Sequence, residues 1–434
     1  MARFFYTVAL FLLLPYVWLH LLWRGRRQPE YLRHIGERFG FYGKKNKGKN
    51  KPIIWLHAVS VGETMAAKPL FTAISEHYPN HQILITHMTP TGRQTSTQLF
   101  GDSVTRVYLP YDYPFAVRRF LAHFKPVVGL ILETELWPNL VATCHDQAVP
   151  VFLVNARLSA KSARGYQRFS ALSRPALQHL AGIAAQTPED ANRLRELGAQ
   201  NVAVFGNIKF DLVPPPQQLA LGEKLRESIR QRPIFLAAST REGEEALILN
   251  ALKAHPFNSN SNIGNIGNIG NIKNTLLIIV PRHPQRFDEV AKLIEKHGLC
   301  LQRRSNNQPI DDSTQVLLGD SMGEMFAYYT ACDVAFIGGS LLDFGGQNLI
   351  EACAVGTPVL IGPSTYNFSA AAEQAIACGA AQRVGDAAEL LEVAGKLLSN
   401  KQQQATMGEA GEAFAVRHRG ATAKTLGLIS PAIY

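Results

Sequence analysis

Two doubly wound α/β domains behind an apolar N-terminal segment are the architecture that this 434-residue sequence predicts. Three observations carry the expectation. Short apolar runs bounded by Gly, Pro or Asn alternate with longer helical patterns, as in parallel sheets buried on both faces. The series breaks at "DLVPPPQQ" (211–218), where three prolines and a polar stretch mark an inter-domain boundary. A chain of this length also exceeds what one ordinary core accommodates.

The first element is "FFYTVALFLLLPYVWLHLLW" (4–23), nearly uncharged. As a helix it measures about 30 Å, enough to span a bilayer. Arg24, Arg26, Arg27 and Arg33 follow it. By the positive-inside rule they place that flank, and all that follows, on the cytoplasmic side. The run is long for a signal peptide and no small-x-small cleavage site follows. Pro15 and His20 leave a helix lying in the interface as the alternative to a spanning one. Residues 1–26 are therefore expected to be a membrane anchor. A Lys/Gly/Asn linker (43–51) leads into a domain over 27–212, whose strand candidates are "IIWLHAV", "QILITHM", "VTRVYLP", "VVGLIL", "VPVFLVN", "GIAAQ" and "NVAVFG". A second domain over 213–434 continues with "PIFLAAS", "TLLIIVP", "QVLLGD", "DVAFIGG" and "PVLIGP". Within it, "NSNSNIGNIGNIGNIKN" (258–274) has neither helical nor strand period, and reads as a low-complexity surface insertion without chemistry.

Lys plus Arg outnumber Asp plus Glu by 44 to 34, a formal charge of +10. The excess suits an anionic lipid surface, a phosphorylated substrate or nucleic acid. Nucleic acid is disfavoured, because no zinc-finger spacing, RNP-like run or bZIP pattern accompanies the charge. Five scattered cysteines with no CxxC read as buried, reduced thiols in a cytosolic domain.

Chemistry-bearing residues gather where strands run into helices, the ligand-binding edge of open α/β sheets. In the first domain "SVGE" sets Glu63 at the start of a helix. The plain reading is a helix cap. The alternative is a base at the mouth of a cleft, its pKa lowered by the helix dipole so that it stays ionised. "ETELWPN" places Glu133 and Glu135 past a strand, where they are expected on opposite sides. "GNIKFD" presents Asn207, Lys209 and Asp211 at the domain boundary. In the second domain "STREGEE" and "PRHPQRF" end strands at Arg241 and at Pro281-Arg282, and arginine there suits a phosphate. "DSMGEM" opens a helix at Met322, Gly323 and Glu324. "GGQNLIEA" follows two glycines with Asn348, Leu349, Ile350 and Glu351, where backbone N–H groups suit an anion and Glu351 a ribose hydroxyl. Tight turns and surface ion pairs are the bland reading of each. No G-x-x-x-x-G-K-[ST] loop is present, which disfavours NTP hydrolysis.

In this order behind an N-terminal anchor, these motifs closely resemble the bacterial 3-deoxy-D-manno-octulosonic acid (Kdo) transferases over essentially the whole chain. The resemblance implies a GT-B glycosyltransferase, two Rossmann-like domains facing across a cleft, inverting and independent of metal or other cofactor. It implies transfer of Kdo from CMP-Kdo to the tetra-acylated, bisphosphorylated lipid A precursor (lipid IVA) at the inner membrane, with anionic lipids as the other partner. The N-terminal domain would bind the acceptor and the C-terminal domain CMP-Kdo. Carried over by residue, the general base falls on Glu63 and charge-stabilising roles on Glu133 and Lys209. Contacts to CMP fall on Pro281, Arg282, Met322, Gly323, Glu324 and Asn348, Leu349, Ile350 and Glu351. Many relatives have His where this chain has Gln347, and the Asn-Ile-Gly insertion has no counterpart in the pattern. No Asp-x-Asp motif is present in the second domain, as expected without a metal-bound nucleotide. "YLRHIGERFG" (31–40), basic and aromatic after the anchor, is the expected membrane-facing acceptor surface. The rivals are a GT-B-like sugar-nucleotide epimerase and a non-catalytic, membrane-anchored protein that binds anionic lipid.

Overall fold

A computed structural model describes residues 1–43, 51–254 and 275–433. The Asn-Ile-Gly segment 258–274 and most of the Lys-rich linker lie outside the described residues. The chain divides into one unit of Met1–Leu212 with His418–Tyr434, and a second of Val213–Arg417. The tail from His418 thus belongs with the first unit, whereas the sequence had placed it with the second. Leu426, Ile429 and Ile433 explain this, for their side chains join the core of the first sheet.

The first unit is a seven-stranded parallel sheet in the order β3-β2-β1-β4-β5-β6-β7. Its strands are β1 (Ile53–His57), β2 (Gln82–His87), β3 (Thr105–Tyr108), β4 (Pro126–Leu132), β5 (Val151–Ala156), β6 (Gly182–Ala185) and β7 (Val202–Val204). Alternation along β1 sends Trp55 into one core and Ile54 and Leu56 into the other. Both faces are covered, which is why the strand reads as an unbroken apolar run. Gly129 of β4 makes room for the indole, since a Cβ there would lie 2.6 Å from Trp55 Cε3. The second unit is also parallel, ordered β10-β11-β9-β8-β12-β13-β14. It comprises β8 (Ile234–Thr240), β9 (Leu276–Pro281), β10 (Leu301–Arg303), β11 (Val316–Leu318), β12 (Val334–Ile337), β13 (Val359–Ile361) and β14 (Ala381–Arg383). In each sheet the strand order reverses beside the first strand, between β1 and β4 and between β8 and β12. Open α/β sheets bind ligands outside such switch points.

The N-terminal segment is not the single helix expected. It is two helices, Ala2–Leu12 and Leu14–Arg27, bent by 49° at Leu13. Pro15 accounts for the break: it has no N–H to give Phe11, and its ring crowds that carbonyl. Among the described residues no single helix is long and apolar enough to cross a bilayer, and the bent pair passes by length and composition only. One side of the pair is docked. Tyr6 donates to Asp112 at 3.0 Å, Tyr113 donates to the carbonyl of Leu10 at 2.8 Å, and Trp18 stacks on Phe39 at 5.3 Å. Phe4, Phe5, Leu12, Tyr16, Leu19 and Trp23 are exposed. The segment 31–40 also departs from expectation. Arg38 is buried and donates to the Met88 carbonyl, and Glu37 accepts from Arg93 and the Tyr108 N–H. Glu37 and Arg38 therefore bind the domain core, whereas Arg33 and His34 stay exposed.

Candidate active site

At the β1 end of the first switch point, the chain leaves His57 and turns through Ala58-Val59-Ser60 into the short helix Val61–Ala66. Ser60 caps this helix by accepting from the Glu63 N–H. Glu63 returns the contact: its carboxylate accepts from the Val59 N–H at 2.7 Å and from the Ser60 hydroxyl at 3.1 Å. This reciprocal arrangement is a variant of the capping box, shifted one residue outward. Cap and candidate base are therefore the same group.

The expected lowered pKa is wrong. Burial pushes the Glu63 carboxyl up to about 7, and the neighbouring Glu133 and Glu135 carboxylates add to it against the Val59 and Ser60 hydrogen bonds. A helix of six residues offers little dipole, and only 9% of Glu63 is exposed, so desolvation wins. A carboxyl titrating near neutrality is well matched to general base work.

Glu133 directly follows β4 and adopts a left-handed conformation, φ 59°. The expectation that Glu133 and Glu135 part to opposite sides fails, since residues two apart along an extended chain share a side, and both act on Glu63. Lys209 pairs with Glu133 at 3.5 Å. Two asparagines position it. Asn155, at the end of β5, accepts from the Ile208 N–H, and Asn207 accepts from the Lys209 N–H. The sequence analysis missed Asn155, and also two buried histidines behind the turn. His87 bonds through Nδ1 to the Ala58 carbonyl and His57 through Nδ1 to Thr86. Burial pushes their pKa values down to about 4 and about 3, so both are neutral supports. A histidine inside an apolar strand gave no signal of this.

In the second unit the expected segments fall at the C-terminal ends of strands. Pro281 closes β9 and Arg282 follows it. Burial pushes the Arg282 guanidinium below its ordinary value, with Glu351 opposing and Arg241 adding. Arg241, just past β8, stacks on Phe344 at 4.3 Å. Asn348 donates to Glu351 at 3.0 Å and accepts from the Ile350 N–H, capping the helix Ile350–Cys353. Leu349 and Ile350 are buried, so their side chains hold this cap to the core and only backbone there remains for a ligand. Met322 is exposed and Gly323 is left-handed at φ 81°. Glu324 precedes the helix Met325–Ala331 and is paired with Arg304 at 3.2 Å and with the Ser321 hydroxyl at 2.7 Å. A cavity of about 550 Å³ opens at the same sheet edge, lined by Leu341–Asp343, Pro363–Tyr366 and Ser369. It lies at the ends of β12 and β13, and its lining does not include Arg282 or Glu351.

Residues 33–212 match the family described as 3-deoxy-D-manno-octulosonic-acid transferase (kdotransferase), and residues 284–414 match the glycosyl transferases group 1 family. The chain is 43% identical to the 3-deoxy-D-manno-octulosonic acid transferase of Bordetella pertussis, over 98% of each chain. It belongs to that family. A second Kdo transferase, from Haemophilus influenzae, is 37% identical over 99% of each chain. Membership makes the chain a glycosyltransferase of lipopolysaccharide biosynthesis and decides against both the epimerase and the lipid-binding rivals. The fold is GT-B-like. It is shared with a UDP-GlcNAc 2-epimerase from Neisseria meningitidis, with a TM-score of 0.56 at 16% identity, covering 88% of this chain and all of that one. At that identity the likeness reports architecture alone.

Proposed function

We propose that this Kdo transferase moves Kdo, with inversion, from CMP-Kdo to the tetra-acylated lipid A precursor (lipid IVA) at the cytoplasmic face of the inner membrane. Glu63 is the general base. A primary hydroxyl of the acceptor glucosamine attacks the anomeric carbon of Kdo, its proton passes to the Glu63 carboxylate, and the anomeric C–O bond to phosphate breaks. CMP leaves as a phosphate monoester. Arg282 and the backbone N–H groups of the second unit's strand-end turns offset its growing charge. Met322–Glu324 and Asn348–Glu351 line the donor, and Glu133 and Lys209 set the charge around the base.

One observation carries the assignment of the base: a buried carboxyl at the first switch point, flanked by two like charges and tuned to about 7. The exposed aromatic face of the N-terminal helices and the chain's net charge of +10 support a site of work on an anionic membrane.

The test is mass spectrometry of the lipid product after incubating the full chain with CMP-Kdo and the tetra-acylated acceptor. A product heavier by one or more Kdo residues, lost in Glu63→Ala while CMP-Kdo still binds, is the expected result. Near-normal turnover by Glu63→Ala would overturn the assignment of the base. Absence of any Kdo-bearing lipid from the unaltered protein would overturn the acceptor.

A further inference from the structure

With Glu37 and Arg38 drawn into the core, the segment 31–40 keeps Arg33 as its one exposed guanidinium, and a denser outward-facing basic stripe of the first unit lies elsewhere. Between Arg157 and Pro175 the sequence holds five cations, Arg157, Lys161, Arg164, Arg168 and Arg174, and no Asp or Glu. Three of them lie on the helix Ala160–Arg168. Lys161, Arg164 and Arg168 are spaced three and four residues apart, which puts them on one stripe. All three are exposed. Among the described residues neither Lys161 nor Arg164 has an ion-pair partner, and Arg168 lies over the ring of the exposed Phe169. Like charges on successive turns repel and destabilise an isolated helix, so the stripe costs stability that an anion would restore.

Its position relates it to the candidate base. The opposite face of the helix is anchored through Ala163 and Tyr166, which pack on the core. Tyr166 donates its hydroxyl to the carbonyl of Thr134 at 3.0 Å. Thr134 lies between Glu133 and Glu135, the two carboxylates that act on Glu63. The following helix, Ser170–Gln178, packs against the N-terminal helix Ala2–Leu12, whose Phe4, Phe5 and Leu12 are exposed. The helix that carries the stripe thus touches the acid-bearing turn through its other face, and the helix after it packs against the segment with exposed apolar side chains, a grouping that suits an amphiphile with an anionic, hydroxyl-bearing head.

Resting on the transfer reading above, we propose that Lys161, Arg164 and Arg168 hold a phosphate of the lipid acceptor while its sugar hydroxyl meets Glu63. These residues select the acceptor and take no part in bond making.

The experiment compares acceptor with and without its phosphates, in detergent micelles, for the full chain and for Lys161→Gln/Arg164→Gln. The double variant is expected to raise KM for the phosphorylated acceptor by about tenfold or more. Its KM for CMP-Kdo should hold, and the preference for phosphorylated acceptor should disappear. Arg164→Lys, which keeps the charge, should restore most of the loss. An unchanged KM, or an equal rise for both acceptors, would overturn the proposal. So would a variant that only binds anionic phosphatidylglycerol vesicles less well, since the stripe would then be reading the bilayer. If the unaltered chain transfers sugar to neither acceptor, the transfer reading itself fails and takes this inference with it, a result distinct from the others.

Discussion

The tuning of Glu63 predicts a pH dependence in both rate and stability. Its carboxyl is raised from 4.5 to about 7. At about 1.36 kcal/mol per unit, keeping it ionised in the folded state costs about 3 kcal/mol. The sign follows from the raised folded value. The native state binds the proton more tightly than the unfolded chain, so this contribution is fully present below about pH 4.5 and lost as pH rises through about 7. The base, by contrast, must be unprotonated. Under first-order donor conditions, kcat/KM should climb tenfold per unit below pH 7 and level above it, falling about thirtyfold by pH 5.5. Glu135→Gln removes one of the like charges and should move the acid limb downward, while Glu63→Gln should abolish transfer and flatten the stability slope between pH 4.5 and 7. Rapid-quench measurement of CMP release across pH 5 to 9, beside urea unfolding of the same proteins, reads both effects. A rate profile flat over that range, or an acid limb centred near 4.5, would refute the reasoning. So would a Glu63→Gln protein that kept the full pH slope of stability.

Arg282→Ala should weaken CMP-Kdo binding by about tenfold or more in calorimetry, with acceptor binding intact, because a half-buried guanidinium at a strand end is suited to a phosphate. Gly129→Ala should cost about 1–3 kcal/mol in urea unfolding, since its Cβ would press on the fully buried Trp55 ring. Glu245→Ala should cost about 3 kcal/mol or more, because it removes both short contacts, 2.8 and 3.0 Å, from the buried Arg286. Arg286 would retain only the longer approaches of Glu242 and Glu289, and a cost under about 1 kcal/mol would mean that these suffice.

What was legible in the sequence follows a physical division. Strands such as Ile53–His57 and Leu276–Pro281 announce themselves because both faces are buried and the apolar run is continuous. The edge strands Leu301–Arg303 and Ala381–Arg383 were missed: each is three residues long, and both carry Gln and Arg where a run would need apolar side chains. The break in the N-terminal helix was written in Pro15, but length and hydropathy outweighed it in the reading. Lys209 and Glu133 do meet, although nothing local tells of it, since the contact depends on Asn155 fixing a segment more than fifty residues away. The same limit reversed the sign at Glu63. A helix N-terminus is visible in four letters, whereas burial is supplied by distant parts of the chain. The cysteines expected to be buried divide for the same reason, Cys144 and Cys353 inside and Cys300 and Cys378 exposed.

The buried acids show how a working carboxylate separates from a structural one. Glu244 is fully buried, yet its carboxylate accepts from three backbone N–H groups, those of Arg241, Gly339 and Leu341, at 2.6–2.9 Å. Glu245, equally buried, is held by both arms of Arg286 and by the Thr240 hydroxyl. Such acids fix loops: Glu244 ties the turn after β8 to the turn after β12. Glu63 has one backbone N–H and one hydroxyl for its two oxygens, and two carboxylates act on it. Its lone pairs are less occupied and its proton affinity is raised toward the value that acid–base work at neutral pH requires. Exposure cannot tell these groups apart, and neither can position, because all three sit in the first turn of a helix after a strand. Donor count does: burial also pushes the Glu244 carboxyl up, with Glu245 adding, but three backbone N–H bonds oppose that rise where Glu63 has one. By that criterion Glu63 is the carboxylate free to exchange a proton, and the acids after β8 are framework.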